Sequence, residues 1–377
     1  MVNSVFLTNN PNLCSTSRIL QSWLQLGRGN GLQGAVIGQR DGDLIGWLRQ
    51  NEFRCQTNPM PWPDRWRPWN CGWHALRAAR WARKAGVDVI HCNEHDVYPF
   101  VGVMKTFLRR PTVCHVRYKL AREFAAWAFK GSRAPDALLW TSHQQKADSA
   151  DAIAGIIPED RQHVLRLGVD LAAFGANVAG GREFRRQLGI ADEEILIGIP
   201  SPLRPRKRVE DFLEIIRRLA PRHEKIVGVI AGGEIAGDEV YRQRIEREIA
   251  DSGLGRRLRW VGYLEPVEPF HHACDVSVST SGYETFGNSV CEAMACGKPV
   301  AGYVGGSVAE VVGDAGLIVE TGDLDGLTAA VERLVVDSEL RRELGAKARQ
   351  RVATEFNPAN SLKQLEEIYR SLLVGKK

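Results

Sequence analysis

A chain of 377 residues with 44% hydrophobic and 25% charged residues has the composition of a globular protein with room for two cores, which excludes a disordered or fibrous chain. No window reaches the roughly 18 consecutive apolar residues of a membrane span, and the N-terminus lacks the basic segment, apolar run and cleavage site of a secretory signal, so a cytoplasmic protein is expected. The net charge of +5 conceals an asymmetry, because residues 1–170 carry 22 Lys and Arg against 14 Asp and Glu, while the remainder carries 28 against 31.

In chain order, the periodicity predicts a strand over Val2–Thr8, a helix over Thr16–Leu26, and strands over Ala35–Ile37, Val87–Cys92, Thr112–Val116 and Ala137–Thr141. Two nearly acid-free runs interrupt this pattern. One holds Arg65, Arg67, Arg77, Arg80, Arg83 and Lys84, and the other Lys105, Arg109, Arg110, Arg117, Lys119 and Arg122. A solvated helix face reads this way, and so does a surface attracted to acidic lipid headgroups, a phosphorylated acceptor or nucleic acid. Trp62, Trp66, Trp69 and Trp73 interleave with the first run in a Pro-rich stretch. Such aromatics suit a membrane interface, although tryptophans packed under a long loop look the same. No nucleic-acid-binding signature is present, so nucleic acid is not expected as a partner. The eight cysteines (Cys14, Cys55, Cys71, Cys92, Cys114, Cys274, Cys291 and Cys296) form no CxxC pair and read as reduced, mostly buried thiols.

The stretch Gly168–Gly189, rich in Gly and Ala, reads as the link between halves. After it, strands Ile195–Ile199, Ile226–Ala231, Leu258–Val261, Asp275–Ser279 and Pro299–Tyr303 alternate with helices Val209–Ala220, Val240–Ala250 and Gly287–Ala295. Leu324, Leu327, Val331 and Leu334 then recur at helical spacing behind a capping Asp323. This is the pattern of βα units around a parallel sheet. Two such open sheets hold their ligand at the carboxyl ends of the strands.

The chemistry concentrates in Ser281–Val300. A strand ends in small polar residues, a loop carries Glu284, and Gly287 opens a helix whose first turn offers free N–H groups and a positive dipole end, a phosphate-binding arrangement. Glu292 lies inside that helix, roughly 9 Å or more from Glu284 at 1.5 Å rise per residue. That is beyond the roughly 5 Å of a retaining glycosidase pair. The two carboxylates therefore read as hydroxyl holders, one for a sugar and one for a ribose, with a diphosphate on the helix start. On spacing alone, two glutamates around a helix start are also common in purely structural settings.

The stretch resembles the E-x7-E signature of retaining glycosyltransferases of family 4. The likeness extends upstream to Trp260-Val-Gly262-Tyr263, similar to the family's base-binding loop, and to Ala273-Cys-Asp275. Downstream it takes in Gly305–Glu310, Gly316-Leu-Ile-Val319 and the closing helices, covering about residues 165–370. By this resemblance Glu284 contacts the donor sugar and Glu292 the ribose, while backbone N–H groups of Phe286, Gly287 and Asn288 face the phosphates. Lys207 matches the family's diphosphate-binding lysine. The family's arginine five residues earlier is Pro202 here, which leaves Arg204 or Arg206 to supply its charge. The Gly-rich loop of the first domain is replaced by residues 9–17, where Ser15 and Thr16 are the small polar candidates. The family's N-terminal active-site histidine aligns with Arg117, with His115 two residues earlier; His115 is preferred, and in a strand both side chains point the same way. His91 and His95 resemble the end of the preceding strand, on the acceptor side.

The resemblance implies an α/β protein of GT-B fold, with two Rossmann-like doubly wound domains facing a central cleft. Residues 1–170 would bind the acceptor and residues 171–357 the nucleotide sugar, with a C-terminal helix over about 358–377 packing back on the first. The implied activity is metal-independent, cofactor-free transfer of a hexosyl group, with retention, from a UDP-sugar or GDP-sugar to a hydroxyl of a saccharide or lipid-linked acceptor. Its setting would be glycan or polysaccharide biosynthesis, with peripheral contact to an anionic membrane through the basic, Trp-rich half. A nucleotide-sugar epimerase of the same architecture and a non-catalytic nucleotide-sugar-binding protein are the alternatives. A dinucleotide-dependent dehydrogenase is disfavoured, because Gly232–Gly237 has the wrong glycine spacing.

Overall fold

The computed structural model describes residues 1–374 apart from Cys14, Asn30, Arg65, Asn177 and residues 234–236. Expectations that touch Cys14, Arg65, the middle of the Gly232–Gly237 loop and the last three residues of the C-terminal helix lie outside the described residues. The chain divides into two units, Met1–Gly168 with Pro358–Lys377, and Val169–Asn357.

In the first unit, the described residues form a parallel sheet of β1 (Val2–Thr8), β2 (Leu32–Gly38), β3 (Cys55–Thr57), β4 (Val89–Cys92), β5 (Thr112–Val116), β6 (Ala137–Trp140) and β7 (Gln162–Val164). Their spatial order is β3-β2-β1-β4-β5-β6-β7. Helices cover both faces, so the central strands carry consecutive buried apolar residues instead of alternating, as in Val5, Phe6 and Leu7, all fully buried. The C-terminal helix Pro358–Val374 belongs to this unit. Trp23 Nε1 donates to Ser361 Oγ at 2.9 Å, and Tyr369 is fully buried with its hydroxyl 2.5 Å from His91 Nδ1. Large aromatics such as these each remove about 150–250 Å² from water, which anchors the helix to the sheet.

The second unit carries β8 (Ile195–Pro200), β9 (Ile226–Ala231), β10 (Leu258–Trp260), β11 (Val276–Ser279), β12 (Val300–Tyr303) and β13 (Gly316–Val319), in the parallel order β10-β9-β8-β11-β12-β13. The helix Val209–Leu219 buries Phe212, Ile215, Ile216 and Leu219 at helical spacing against one face of this sheet. In each unit the strand order reverses beside the first strand, at β1/β4 and at β8/β11. Those are the positions where a doubly wound sheet opens a crevice at its carboxyl edge.

The Gly- and Ala-rich stretch read as a link is instead mostly helical, with helices Leu171–Ala176 and Val178–Gln187 inside the second unit. Its glycine has a packing role, because a Cβ on Gly181 would lie 2.7–2.9 Å from His272 and the Ala273 nitrogen. Arg185 on the same segment donates to Asp275 Oδ2 at 2.9 Å and to the Ala191 carbonyl at 2.7 Å, locking the helix to the start of β11. The Trp-rich stretch also departs from expectation, since it contains the helix Pro68–Lys84. Its buried stripe of Cys71, Ala75, Ala78, Ala79 and Ala82 is only weakly apolar and hides among Arg and Trp. β3 and β7, edge strands of three residues, are too short for periodicity to reveal.

Candidate functional site

Two loops leave the β8/β11 switch point of the second unit. After β8 the chain makes a tight turn over Pro205–Lys207, and after β11 it runs through Ser281 to Phe286 before the helix Asn288–Ala295. Backbone and hydroxyl groups knit the loops together. Gly282 N donates to the Arg206 carbonyl at 2.9 Å, and Thr280 Oγ1 to the Lys207 carbonyl at 2.7 Å. From behind, Glu284 N donates to Gly305 O at 3.2 Å and Ser307 N to Glu284 O at 2.8 Å. This close approach requires Gly305 and Gly306: a Cβ would meet Ser281 O at 2.2 Å and Glu284 O at 2.3 Å, and Gly306 has φ +62°.

The result is an ion pair in a protected setting. Lys207 Nζ donates to Glu284 Oε1, which also accepts from Ser281 Oγ at 2.7 Å, and both charged side chains are largely buried. Arg206 Nη1 lies 3.7 Å from Glu284 Oε2 and donates to the Tyr283 carbonyl at 3.1 Å. Burial alone pushes the Glu284 carboxyl up, but the Lys207 ammonium and the hydrogen bonds from Lys207 and Ser281, with help from Arg206, hold it below the usual carboxylate range. The other candidate arginine, Arg204, turns aside and pairs with Asp238 Oδ2 at 2.8 Å. Among the two, Arg206 therefore sits beside the Lys207–Glu284 pair.

The helix start next to this pair is formed by Gly287, in the left-handed region at φ 92°, with Phe286 buried against Phe356. The first N–H groups of Asn288–Ala295 have no intrahelical acceptor by construction of the helix. Glu292 lies one turn inside, with Oε2 3.5 Å from Nε2 of the buried His271. On the far side of β8, Gly262 accepts from Gly232 N at 2.8 Å, and Tyr263 extends outward with its hydroxyl on Glu265 Oε2 at 2.7 Å. Lys207, Arg206, Glu284 and the Gly287 helix start thus share one loop cluster, whereas Arg204 does not join it.

In the first unit, β1 is followed by a loop built from Asn turns, with Asn12 N donating to Asn10 Oδ1 at 3.1 Å. Thr16 lies in the first turn of the helix Ser15–Gly27; the side chain of Ser15 is outside the described residues. His115 and Arg117 of the β5 region do point the same way, onto Trp23: the His115 ring stacks at 6.1 Å and the Arg117 guanidinium lies 5.8 Å from the indole. Their surroundings differ. His115 is fully buried among Trp23, His91 and their neighbours with neither ring nitrogen hydrogen-bonded, and burial followed by Arg117 pushes its imidazole well below the usual range. Arg117 sits just past the strand's carboxyl end and grips Asn93, Nε to O and Nη2 to Oδ1, both at 2.9 Å. His91 is equally buried, and the His95 ring packs tilted against Tyr118 with centroids 4.1 Å apart. Among the described residues no group of three or more His, Cys, Asp or Glu is arranged to hold a metal ion.

With this geometry in hand the comparisons with known proteins converge. Residues 181–351 match the family of glycosyl transferases group 1. The matched segment contains Lys207, Glu284 and Glu292. Over 234 residues the chain is 31% identical to a 2-deoxystreptamine N-acetyl-D-glucosaminyltransferase of Streptomyces fradiae, covering 60% of this chain and 54% of that one. Over 194 residues it is 30% identical to an N-acetyl-alpha-D-glucosaminyl L-malate synthase of Bacillus anthracis, covering 51% and 49%. The alignments thus span about half the length of these two relatives. The crystal structure of Anabaena HepE in complex with UDP and glucose superposes with a TM-score of 0.85 at 20% identity, over 98% of this chain and 100% of that one. The fold is α/β with two parallel-sheet Rossmann-like domains, that of the GT-B glycosyltransferases.

Outside the segment that matches glycosyl transferases group 1, one residue at the edge of the first unit's crevice escaped the sequence reading. Glu94 follows β4 at the β1/β4 switch point, almost fully buried, with Oε1 accepting from Thr8 Oγ1 at 3.1 Å and from Asn93 Nδ2 at 2.5 Å. Its Oε2 is buried without a partner. Burial raises its carboxyl to about 7, against the opposing pull of Arg117 and the Thr8 and Asn93 hydrogen bonds. The signal was available in Asn93-Glu94, a carboxylate immediately after an apolar strand, but the flanking His91 and His95 drew the reading instead.

Proposed function

We propose that this chain is a retaining family 4 glycosyltransferase. It moves a hexosyl group from a nucleotide-diphosphate sugar to a hydroxyl of a saccharide or lipid-linked acceptor, in glycan or polysaccharide biosynthesis. The observation that carries the reading is the buried Lys207–Glu284 pair beside Arg206 and a helix start, at the switch point of the segment matched to glycosyl transferases group 1. The relatives' names, both glycosyl-transferring or glycosyl-containing syntheses, support the reaction class. HepE's complex with UDP and glucose supports a uridine donor ahead of a guanosine one.

In this reading the donor diphosphate displaces Glu284 from Lys207. The ammonium and Arg206 then face phosphate oxygens, and the freed carboxylate accepts hydrogen bonds from the sugar's hydroxyls. Glu292 holds the ribose, the N–H groups of Phe286, Gly287 and Asn288 face the phosphates, and Gly262 and Tyr263 flank the base. As the bond from the anomeric carbon to the phosphate oxygen breaks, its electron pair stays on that oxygen, where Lys207 and Arg206 stabilise the charge. The acceptor oxygen bonds to the anomeric carbon on the same face, and its proton passes to the departing phosphate. Two cations supply the charge stabilisation, so the reaction is proposed to run without a metal or other cofactor. Arg117, at the strand's end, serves the N-terminal active-site role, with His115 behind it as support, and Ser15 and Thr16 are the first unit's candidates for contacting the donor. Residues 1–168 bind the acceptor, and the protein works at the cytoplasmic face of a membrane as a peripheral enzyme.

A thermal-shift screen of nucleotide sugars, followed by nucleotide release with candidate acceptors, tests this. Stabilisation by a UDP-sugar and acceptor-dependent UDP release are expected; a chain indifferent to every nucleotide sugar contradicts the reading.

A further inference from the structure

The helix Pro68–Lys84 presents two opposite stripes. Cys71, Ala75, Ala78, Ala79 and Ala82 are buried in the core of the first unit. Trp69, Trp73, Arg77, Arg80 and Lys84, at spacings that keep them on one line, are all exposed. Trp62, Trp66, Trp69 and Trp73 are 53%, 73%, 68% and 60% exposed. Trp62 anchors this patch: its Nε1 donates to the Asp96 carbonyl at 2.8 Å, and its ring lies 5.8 Å from Phe124 and 5.4 Å from the half-exposed Trp127. No acidic residue occurs between Asp64 and Asp88.

Solvent-facing helix stripes ordinarily mix both charges and lack large aromatics. Here Trp69 and Trp73 precede Arg77, Arg80 and Lys84 along the stripe, and the exposed Arg67 lies among the tryptophans just before it. Indoles, apolar in body and polar at the N–H, are at home at the boundary between lipid tails and headgroups, and Arg and Lys complement phosphate headgroups. A second copy of this chain is a poor partner, since pairing two acid-free cationic stripes opposes like charges. The sequence carries no nucleic-acid-binding signature, which disfavours a nucleic acid on this stripe.

We propose that the outer stripe of helix Pro68–Lys84, with Trp62 and Trp66, docks on the surface of an anionic phospholipid bilayer. The tryptophans enter the headgroup boundary, and Arg77, Arg80 and Lys84 lie over lipid phosphates. This assignment stands apart from the sugar-transfer chemistry, because vesicle binding is measured without donor or acceptor.

The experiment is co-sedimentation of the full chain with phosphatidylcholine vesicles and with phosphatidylcholine vesicles containing phosphatidylglycerol. Wild type is expected to pellet with the anionic vesicles, less so as salt rises, with tryptophan emission quenched by brominated lipid. Arg77→Gln, Arg80→Gln and Lys84→Gln together are expected to lower partitioning roughly 100-fold at low salt. Trp69→Ala with Trp73→Ala is expected to remove most of the quenching. These positions are exposed, so circular dichroism should show unchanged folding. The proposal is overturned by equal binding to neutral and anionic vesicles, or by undiminished binding of both variants. It is equally overturned by a dimer in sedimentation velocity that the Trp variants dissolve, or by an oligonucleotide that binds this face and strips the protein from vesicles.

Discussion

Lys207 and Glu284, 77 residues apart in the chain, meet as a largely buried ion pair at the carboxyl edge of the second sheet. Neither side chain is free of the other in this state, and Ser281 and Arg206 hold the carboxylate in place. Removing one member of such a pair strands the other charge. Lys207→Ala and Glu284→Ala are each expected to cost about 3 kcal/mol, and the double variant clearly less than the sum. Urea unfolding of the three variants measures this. Additive losses would show that the two residues do not share their burial.

The pH dependence of stability separates two carboxyls. Glu284 is held low, so its contribution is present above the ordinary carboxylate range and is lost as pH falls through its depressed value. Glu94 behaves oppositely. With its carboxyl raised to about 7, the folded state keeps a proton that the unfolded chain releases above about 4.5, so stability falls as pH rises across that window. Glu94→Gln is expected to gain on wild type by a few kcal/mol between pH 5 and pH 8, with the difference levelling off above pH 7. Identical pH profiles for the two proteins would remove the raised carboxyl from the account.

Gly306→Ala is expected to disable the site without touching a functional side chain. Its Cβ would collide with the Glu284 carbonyl, and φ +62° is unfavourable for alanine. Loss of nucleotide-sugar stabilisation in thermal shift, with the circular dichroism spectrum intact, is the expected outcome; unchanged binding would mean the loop tolerates displacement.

Of the two residues on the β5 side, only Arg117 stands at the strand's carboxyl end. Arg117→Ala removes two hydrogen bonds to Asn93 and a cation near Glu94. It is expected to lower transfer by roughly 100-fold or more, the range of one lost charged contact in an active site. His115→Phe keeps an aromatic against Trp23 and leaves no ring nitrogen unpaired, so transfer within about 10-fold of wild type is expected. Steady-state rates with saturating donor distinguish the two, and the reverse ranking would place the active-site role on His115.

Much of this was legible beforehand. The central strands of both sheets, such as Ile195–Pro200 and Ile226–Ala231, are largely apolar because helices cover both faces, and such runs are hard to mistake. Glu284 and Lys207 stood out because a carboxylate, a glycine and a helix start in sequence imply a crevice, and because the surrounding motifs resemble a known family. What pairs them was not legible: the contact spans 77 residues and depends on Gly305 and Gly306 bringing a third loop behind Glu284. The helix Pro68–Lys84 was hidden because its inner stripe is alanine, whose small apolar signal is swamped by Arg and Trp on the outer one. His115 and Arg117 could not be separated by counting along a strand, since both lie on one face and both are buried; what distinguishes them is that Arg117 lies past the strand's end and bonds Asn93, while neither ring nitrogen of His115 is hydrogen-bonded.

Calorimetric titration of the nucleotide sugar that most stabilises wild type in the thermal-shift screen, into wild type and Lys207→Ala, tests the central claim most directly. The account predicts saturable binding to wild type and a loss of roughly 10- to 100-fold in the variant, the range of a charge-assisted hydrogen bond to phosphate. Binding of equal strength in both proteins would contradict it.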